Sequence, residues 1–124
     1  MKLGLDYHGV ITANPAFFAG MTQALVKEGW EIHVLTGSKV SEEFIGQLKE
    51  WGVSYTHLFS ITDFHESLGH RVEWTHKGPW IREDLWNQTK AKYCEQYGIG
   101  LHLDDSDVYG KFFKTPYARF KCPT

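Results

Sequence analysis

The chain has 124 residues, 42% of them apolar and 23% charged, which suits one globular domain and leaves no length for a second. Thirteen Lys and Arg against fifteen Asp and Glu give a formal net charge of −2, so there is no basic footprint for a nucleic-acid backbone, and nucleic acid is expected only as a locally held substrate. The longest apolar stretches fall far short of the ~20 residues that span a bilayer, no signal-peptide pattern opens the sequence, and Cys94 and Cys122 are not at metal or redox spacing. A cytoplasmic protein with free thiols and no membrane contact is expected.

Lys2-Leu3-Gly4-Leu5 reads as a short strand ending at Asp6. Pro15 to Glu28 follows as a crossover helix, with Asn14 as N-cap, Pro15 at the first helical position, Phe17, Met21, Leu25 and Val26 at helical spacing, and Gly29 as stop. Glu31-Ile32-His33-Val34-Leu35 is a second strand, running into Thr36-Gly37-Ser38. Ser41 caps a helix with Glu42 and Glu43 in its first turn, an apolar stripe of Phe44, Ile45 and Leu48, and Gly52 at its end, and a strand near Val53 to Leu58 is expected next.

His57 to Gln88 is the least regular stretch, with a helical turn at Thr62 to Leu68, an extended Arg71 to Trp74, and a turn at Lys77-Gly78-Pro79. It reads as a small insertion that contacts substrate. Lys90 to Tyr97 is helical and stopped by Gly98, and Gly100-Leu101-His102-Leu103 is a strand running into Asp104-Asp105-Ser106. The tail from Phe112 to Thr124 either adds a last strand or packs on a partner, burying Phe112, Phe113, Tyr117 and Phe120 either way. Strands alternating with helices predict a three-layer α/β/α, Rossmann-like domain over 1–124 with a mainly parallel sheet.

In such sheets ligands bind beyond the carboxyl ends of the strands, and three predicted strands end in Asp6, Thr36 and Asp104-Asp105. A carboxylate group at those ends suits a hard dication, Mg2+ above all, with Asp6 and Asp104 as the natural ligand pair. A carboxylate beside such an ion can also attack phosphorus, while Thr36 and a lysine act as donors to the transferring group. Taken singly, each piece has an ordinary reading. Asp6 could start a turn with Gly9, 36–38 could be the approach to the Ser41 cap, 104–107 could be a solvated acidic turn, and a helical lysine is usually a surface residue.

Leu5-Asp6-Tyr7-His8-Gly9-Val10-Ile11-Thr12, Val34-Leu35-Thr36-Gly37-Ser38 and Leu103-Asp104-Asp105-Ser106 resemble, in order and spacing, motifs I, II and IV of the haloacid dehalogenase-like (HAD) superfamily. The resemblance covers the framework from Lys2 to about Tyr109. It implies a Mg2+-dependent phosphohydrolase with Asp6 as nucleophile, forming an aspartyl-phosphate. The main-chain carbonyl of His8 and the carboxylate of Asp104 would join Asp6 at the metal, with Asp105 ligating directly or through water. Thr36, with the Gly9 and Gly37-Ser38 loops, would bind the phosphoryl group. The motif-III lysine is best matched by Lys90, with Lys92 and Lys77 as fallbacks. No segment is long enough for a large cap domain, so an open site on a small phosphorylated substrate is expected, and self-association is left open.

One position departs from the family pattern. Its phosphatases carry a second aspartate two residues after the nucleophile, for proton transfer, and here that residue is His8. Imidazole is a common general acid and base near neutral pH, so His8 can take the role, or the domain can be catalytically weak and bind a phosphorylated ligand or a partner protein instead. The seven histidines include no HExxH pattern and no cysteine at zinc spacing, so no zinc site is expected. Trp74, Trp80 and Trp86 with Arg71, Lys77 and Arg82 offer a stacking surface for substrate, against the commoner reading of aromatic residues as core.

Overall fold

Residues Lys2–Asp6 form β1 and Glu31–Thr36 form β2, the two strands on which the rest is built. The computed structural model describes residues 1–75, 78–80 and 83–121. The remaining elements are α1 (Pro15–Lys27), α2 (Glu42–Trp51), β3 (His57–Ser60), α3 (Ile61–Ser67), β4 (Glu73–Thr75), β5 (Gly78–Trp80), α4 (Glu83–Tyr97), β6 (Leu101–Asp104), α5 (Asp107–Gly110) and β7 (Tyr117–Arg119). Five strands make one sheet in the order β3-β2-β1-β6-β7, every neighbouring pair parallel, while β4 and β5 form a separate antiparallel ribbon. The chain builds outward from β1 to β3 and then crosses back to β6, so the order reverses between β1 and β6. The result is a Rossmann-like α/β sandwich.

Strand periodicity assigns the layers. Leu3 and Leu5 of β1 and Ile32 and Val34 of β2 share a face with Phe18 and Ala19 of α1 and Phe44 and Leu48 of α2. Leu35 points the other way, into a smaller cluster with Tyr93, Cys94 and Ile99 from α4 and the turn after it. The helix ends follow their local chemistry. Asn14 Oδ1 accepts from Phe17 N at 3.3 Å and Ser41 Oγ accepts from Phe44 N at 3.1 Å, each satisfying a donor at a helix start. Gly52 closes α2 at φ +77°, a left-handed conformation that favours glycine, and Val53 N returns to Leu48 O at 3.0 Å.

Several sequence expectations need correction. The core row of α1 is Phe18, Ala19 and Thr22, with Met21, Leu25 and Val26 partly buried, while Phe17 is 53% exposed. Ile45 is 42% exposed beside buried Phe44 and Leu48. In both helices one apolar residue lies a single step, about 100° of rotation, off the buried row. The strand expected at Val53 to Leu58 begins only at His57, because Val53 is still closing α2. Gly78 and Pro79 are not turn residues but pair with Thr75 and Trp74 in the ribbon, and α4 begins seven residues before Lys90. Residues 57–60 belong to the main sheet, which shortens the insertion to the stretch between α3 and α4. The tail does add a strand, β7, although Phe112 remains 40% exposed. Among the described residues no helix is long and apolar enough to cross a membrane.

Candidate active site

The reversal of strand order leaves a crevice beyond the carboxyl ends of β1 and β6, and Asp6 and Asp104 are the last residues of those strands. The register Gly4↔His102 and Leu5↔Leu103 puts Gly4, Asp6, His102 and Asp104 on the face covered by α4. From that helix Lys90 Nζ donates to Asp6 Oδ1 at 2.8 Å and to Asp104 Oδ2 at 3.0 Å. All three side chains are buried, Asp6 at 4% exposure. His102 Nε2 lies 3.0 Å from Asp104 Oδ2 and Ser106 N donates to Asp104 Oδ1 at 3.2 Å, so both oxygens of Asp104 are held. Gly4 makes room for this arrangement, since a Cβ there would lie 2.6 Å from His102 Nδ1.

The electrostatics follow from two carboxylates facing one ammonium. Burial works against the charge on Asp104, but the His102 hydrogen bond and Lys90 outweigh it and hold Asp104 below the usual carboxylate range. Burial likewise disfavours the Lys90 ammonium, and the charges of Asp6 and Asp104 more than restore it, raising its pKa. The balance disfavours charge on Asp6, whose pKa burial pushes up to about 8, with Lys90 opposing and Asp104 adding. Burial disfavours the charged form of His102 and lowers its pKa, so Nε2 carries the proton donated to Asp104 and Nδ1 is a buried lone pair without a hydrogen-bond partner among the described residues.

Asp6, Asp104 and Asp105 each offer an oxygen, all within 4.8 Å of one another. An all-oxygen donor set suits a hard dication, and such an ion would favour the Asp6 carboxylate that burial disfavours, so these residues fit one. Gly9 closes over the cluster at φ +82°, and a Cβ there would lie 2.1 Å from Asp105 Oδ2, so both conformation and space require glycine. Its N–H donates to Thr12 Oγ1 at 2.9 Å. His8, just before Gly9, is extended and exposed, and its ring meets Ser38 Oγ at 3.2 Å.

Thr36 ends β2 fully buried, and its Oγ1 accepts from Ser38 N at 3.1 Å, which folds the 36–38 loop back on itself. Thr62 Oγ1 donates to Gly37 O at 2.6 Å and Ser60 Oγ to Ser38 O at 2.7 Å, anchoring that loop to the β3–α3 junction. A Cβ on Gly37 would lie 2.7 Å from the Trp86 ring. Trp86 Nε1 donates to Tyr109 Oη at 2.7 Å, and the Tyr109 ring lies 4.9 Å from Lys90 Nζ.

The structure therefore gathers Asp6, Lys90, Asp104 and Asp105, with Gly9 against them, and places Thr36, Gly37, Ser38 and His8 in one neighbouring loop system. Lys92 lies elsewhere, on the wall of a cavity of about 390 Å³ between α3 and α4 that also includes His65 and Thr89 but none of Asp6, Lys90 or Asp104. Lys77 and Arg82 fall outside the described residues, as does Cys122. Trp86 packs on Gly37, whereas Trp74 is exposed in the ribbon, and Arg71 pairs with Glu73 at 3.4 Å. Sequence reasoning misses His102, Tyr109, Ser60 and Thr62, and it singles out Trp86 only for a stacking surface, not for its packing on Gly37 and its bond to Tyr109. Only His102 carried a signal, its place two residues before Asp104 on the same strand face. Neither a scan against protein-family models nor searches of curated proteins and of solved structures found a match to this chain.

Proposed function

We propose that this chain is a Mg2+-dependent phosphohydrolase of the HAD type that acts on a phosphomonoester through an aspartyl-phosphate at Asp6. The observation that carries the reading is the buried bridge from Lys90 to Asp6 and Asp104 at the point where the strand order reverses. Mg2+ held by Asp6, Asp104 and Asp105, with the His8 carbonyl, would neutralise phosphoryl charge. The Asp6 carboxylate attacks phosphorus, the bond to the leaving oxygen breaks, and that oxygen takes a proton from the His8 imidazolium. Water deprotonated by His8 then attacks phosphorus, releasing inorganic phosphate and restoring Asp6. Lys90 orients Asp6, and Thr36 donates its hydroxyl to the phosphoryl oxygens.

A second reading has its own support: His8 stands where the family's phosphatases use aspartate, and Asp6 is almost fully covered. A domain that binds a phosphorylated ligand or partner with little turnover would look the same. Phosphate release from an aryl phosphate and a panel of phosphometabolites, with Mg2+ or chelator, separates the two. Turnover that needs the metal and is lost in Asp6→Asn supports the phosphohydrolase. Absence of turnover with retained binding of orthovanadate supports the second, and unchanged turnover in Asp6→Asn overturns the first.

A further inference from the structure

A different cluster lies at the opposite end of the sheet. Period-two geometry puts Glu31 and His33 on one face of β2, and the register His33↔His57 brings a second imidazole beside them from the edge strand β3. Glu31 Oε1 lies 2.9 Å from His33 Nε2 and 3.8 Å from His57 Nδ1, and the two rings stack at 4.1 Å. Ligand atoms of all three residues fall within 4.8 Å of one another. We infer that Glu31, His33 and His57 form a binding site for a zinc-class transition-metal dication, distinct from the acidic cluster at Asp6.

The donor chemistry separates this site from the acidic one. Two imidazoles and one carboxylate suit Zn2+, Co2+ or Ni2+ and not Mg2+, and three protein ligands leave a fourth position for water. His33 is fully buried, and its Nδ1 lies 2.7 Å from Tyr93 Oη. With the metal on Nε2, the ring proton sits on Nδ1 and is donated to Tyr93, the outer hydrogen bond that metal-binding histidines generally make. The Nε2–H bond to Glu31 is given up, and the same Glu31 oxygen becomes a ligand. The stacked rings are parallel, so both lone pairs converge only if His57 turns about its side-chain bonds and gives up the 2.8 Å contact of its Nδ1 with Thr56 Oγ1; it is 44% exposed, whereas His33 is buried and held by Tyr93. Lys2 Nζ lies 3.9 Å from Glu31 Oε2, the oxygen that does not face His33 Nε2, and donates to Tyr97 O at 2.9 Å.

Glu31 and His33 open β2 and His57 opens β3, so a metal here clips the edge strand to its neighbour far from the carboxyl ends that carry Asp6 and Thr36. The test uses untagged, chelator-stripped protein in excess Mg2+, titrated with Zn2+ against a chromophoric chelator and with Co2+ by visible absorption. The expected result is one equivalent bound by the natural protein, with Co2+ bands of a four-coordinate site. Affinity should fall at least ~10-fold in His57→Ala and Glu31→Gln, and about 10-fold in Tyr93→Phe, which removes only the outer hydrogen bond. His57→Ala alters an exposed side chain, so the arm survives if a variant at buried His33 fails to fold. No binding by the natural protein overturns the inference, and so does equal binding by His57→Ala, which would put the ion elsewhere.

Discussion

Lys90→Met removes the one ammonium that bridges Asp6 and Asp104 and leaves both carboxylates in place on a buried, nearly water-free face. Methionine is close to lysine in length and fills the same space, so the loss is electrostatic. Removing one partner of a buried ion pair costs about 3–5 kcal/mol, because the two desolvated carboxyls left behind must either stay charged beside each other or take up a proton. For a domain of this size about 4 °C of melting temperature accompanies each kcal/mol, so the variant should melt about 12–20 °C lower. Urea unfolding at neutral pH measures the loss. The double variant Asp6→Asn with Lys90→Met should recover about 1–3 kcal/mol relative to the sum of the single effects, since the stranded charge is gone. Mg2+ should raise the midpoint of Lys90→Met more than that of the natural protein, because the dication replaces the missing charge. A loss under about 1 kcal/mol, or strict additivity in the double variant, would refute the bridge as the electrostatic keystone of the site.

Two further predictions test the surroundings. Gly37→Ala forces the Trp86 ring to move and strains its bond to Tyr109, so it should destabilise by about 1–3 kcal/mol and change the near-UV circular dichroism, whereas Gly46→Ala, with open space around it in α2, should stabilise by about 0.5–1 kcal/mol; equal effects would contradict the packing. Burial, with His70 and Lys92 nearby, lowers the pKa of His65, while the unfolded chain protonates that residue near ~6.5. Between those values the unfolded state binds more protons, so stability present above about pH 6.5 is lost as pH falls through it. Urea midpoints measured from about pH 7.5 to about pH 5.5, roughly one unit either side of that pKa, should drop less steeply in His65→Gln, and parallel slopes would exclude His65.

How much of this was visible in the sequence depended on the range of the interaction. Helix starts at Asn14 and Ser41 and the stop at Gly52 were legible because a cap acts within four residues. Strand ends at Asp6, Thr36 and Asp104 were legible because each apolar run stops there. The phase of a helix face was not, since Phe17 and Phe18 fit an amphipathic pattern equally well until α1 docks on the sheet. Nor was anything that depends on strand register. His33 and His57 are 24 positions apart in the chain and become neighbours only through the β2–β3 pairing, and nothing in the spacing of histidines announces it. Trp86 and Tyr109 were hidden for the same reason: their meeting is fixed by how α4 and α5 lie on the sheet.

Helix α4 runs back along the sheet like a vernier scale. Its residues advance about 1.5 Å each against about 3.3 Å for a strand, so the seven steps from Lys90 to Tyr97 cover about 10 Å against about 13 Å for the four from Lys2 to Asp6, and the long Lys2 and Lys90 side chains span the difference. That ratio is why Lys90 meets Asp6 near one end while the Tyr97 carbonyl meets Lys2 near the other, with Tyr93 reaching His33 in between. One inserted residue between Lys90 and Tyr93 would turn everything beyond it by about 100° and break the match at one end whenever it was kept at the other. The acidic cluster and the histidine pair are thus graduations on a single ruler, and the spacing of this helix sets both at once.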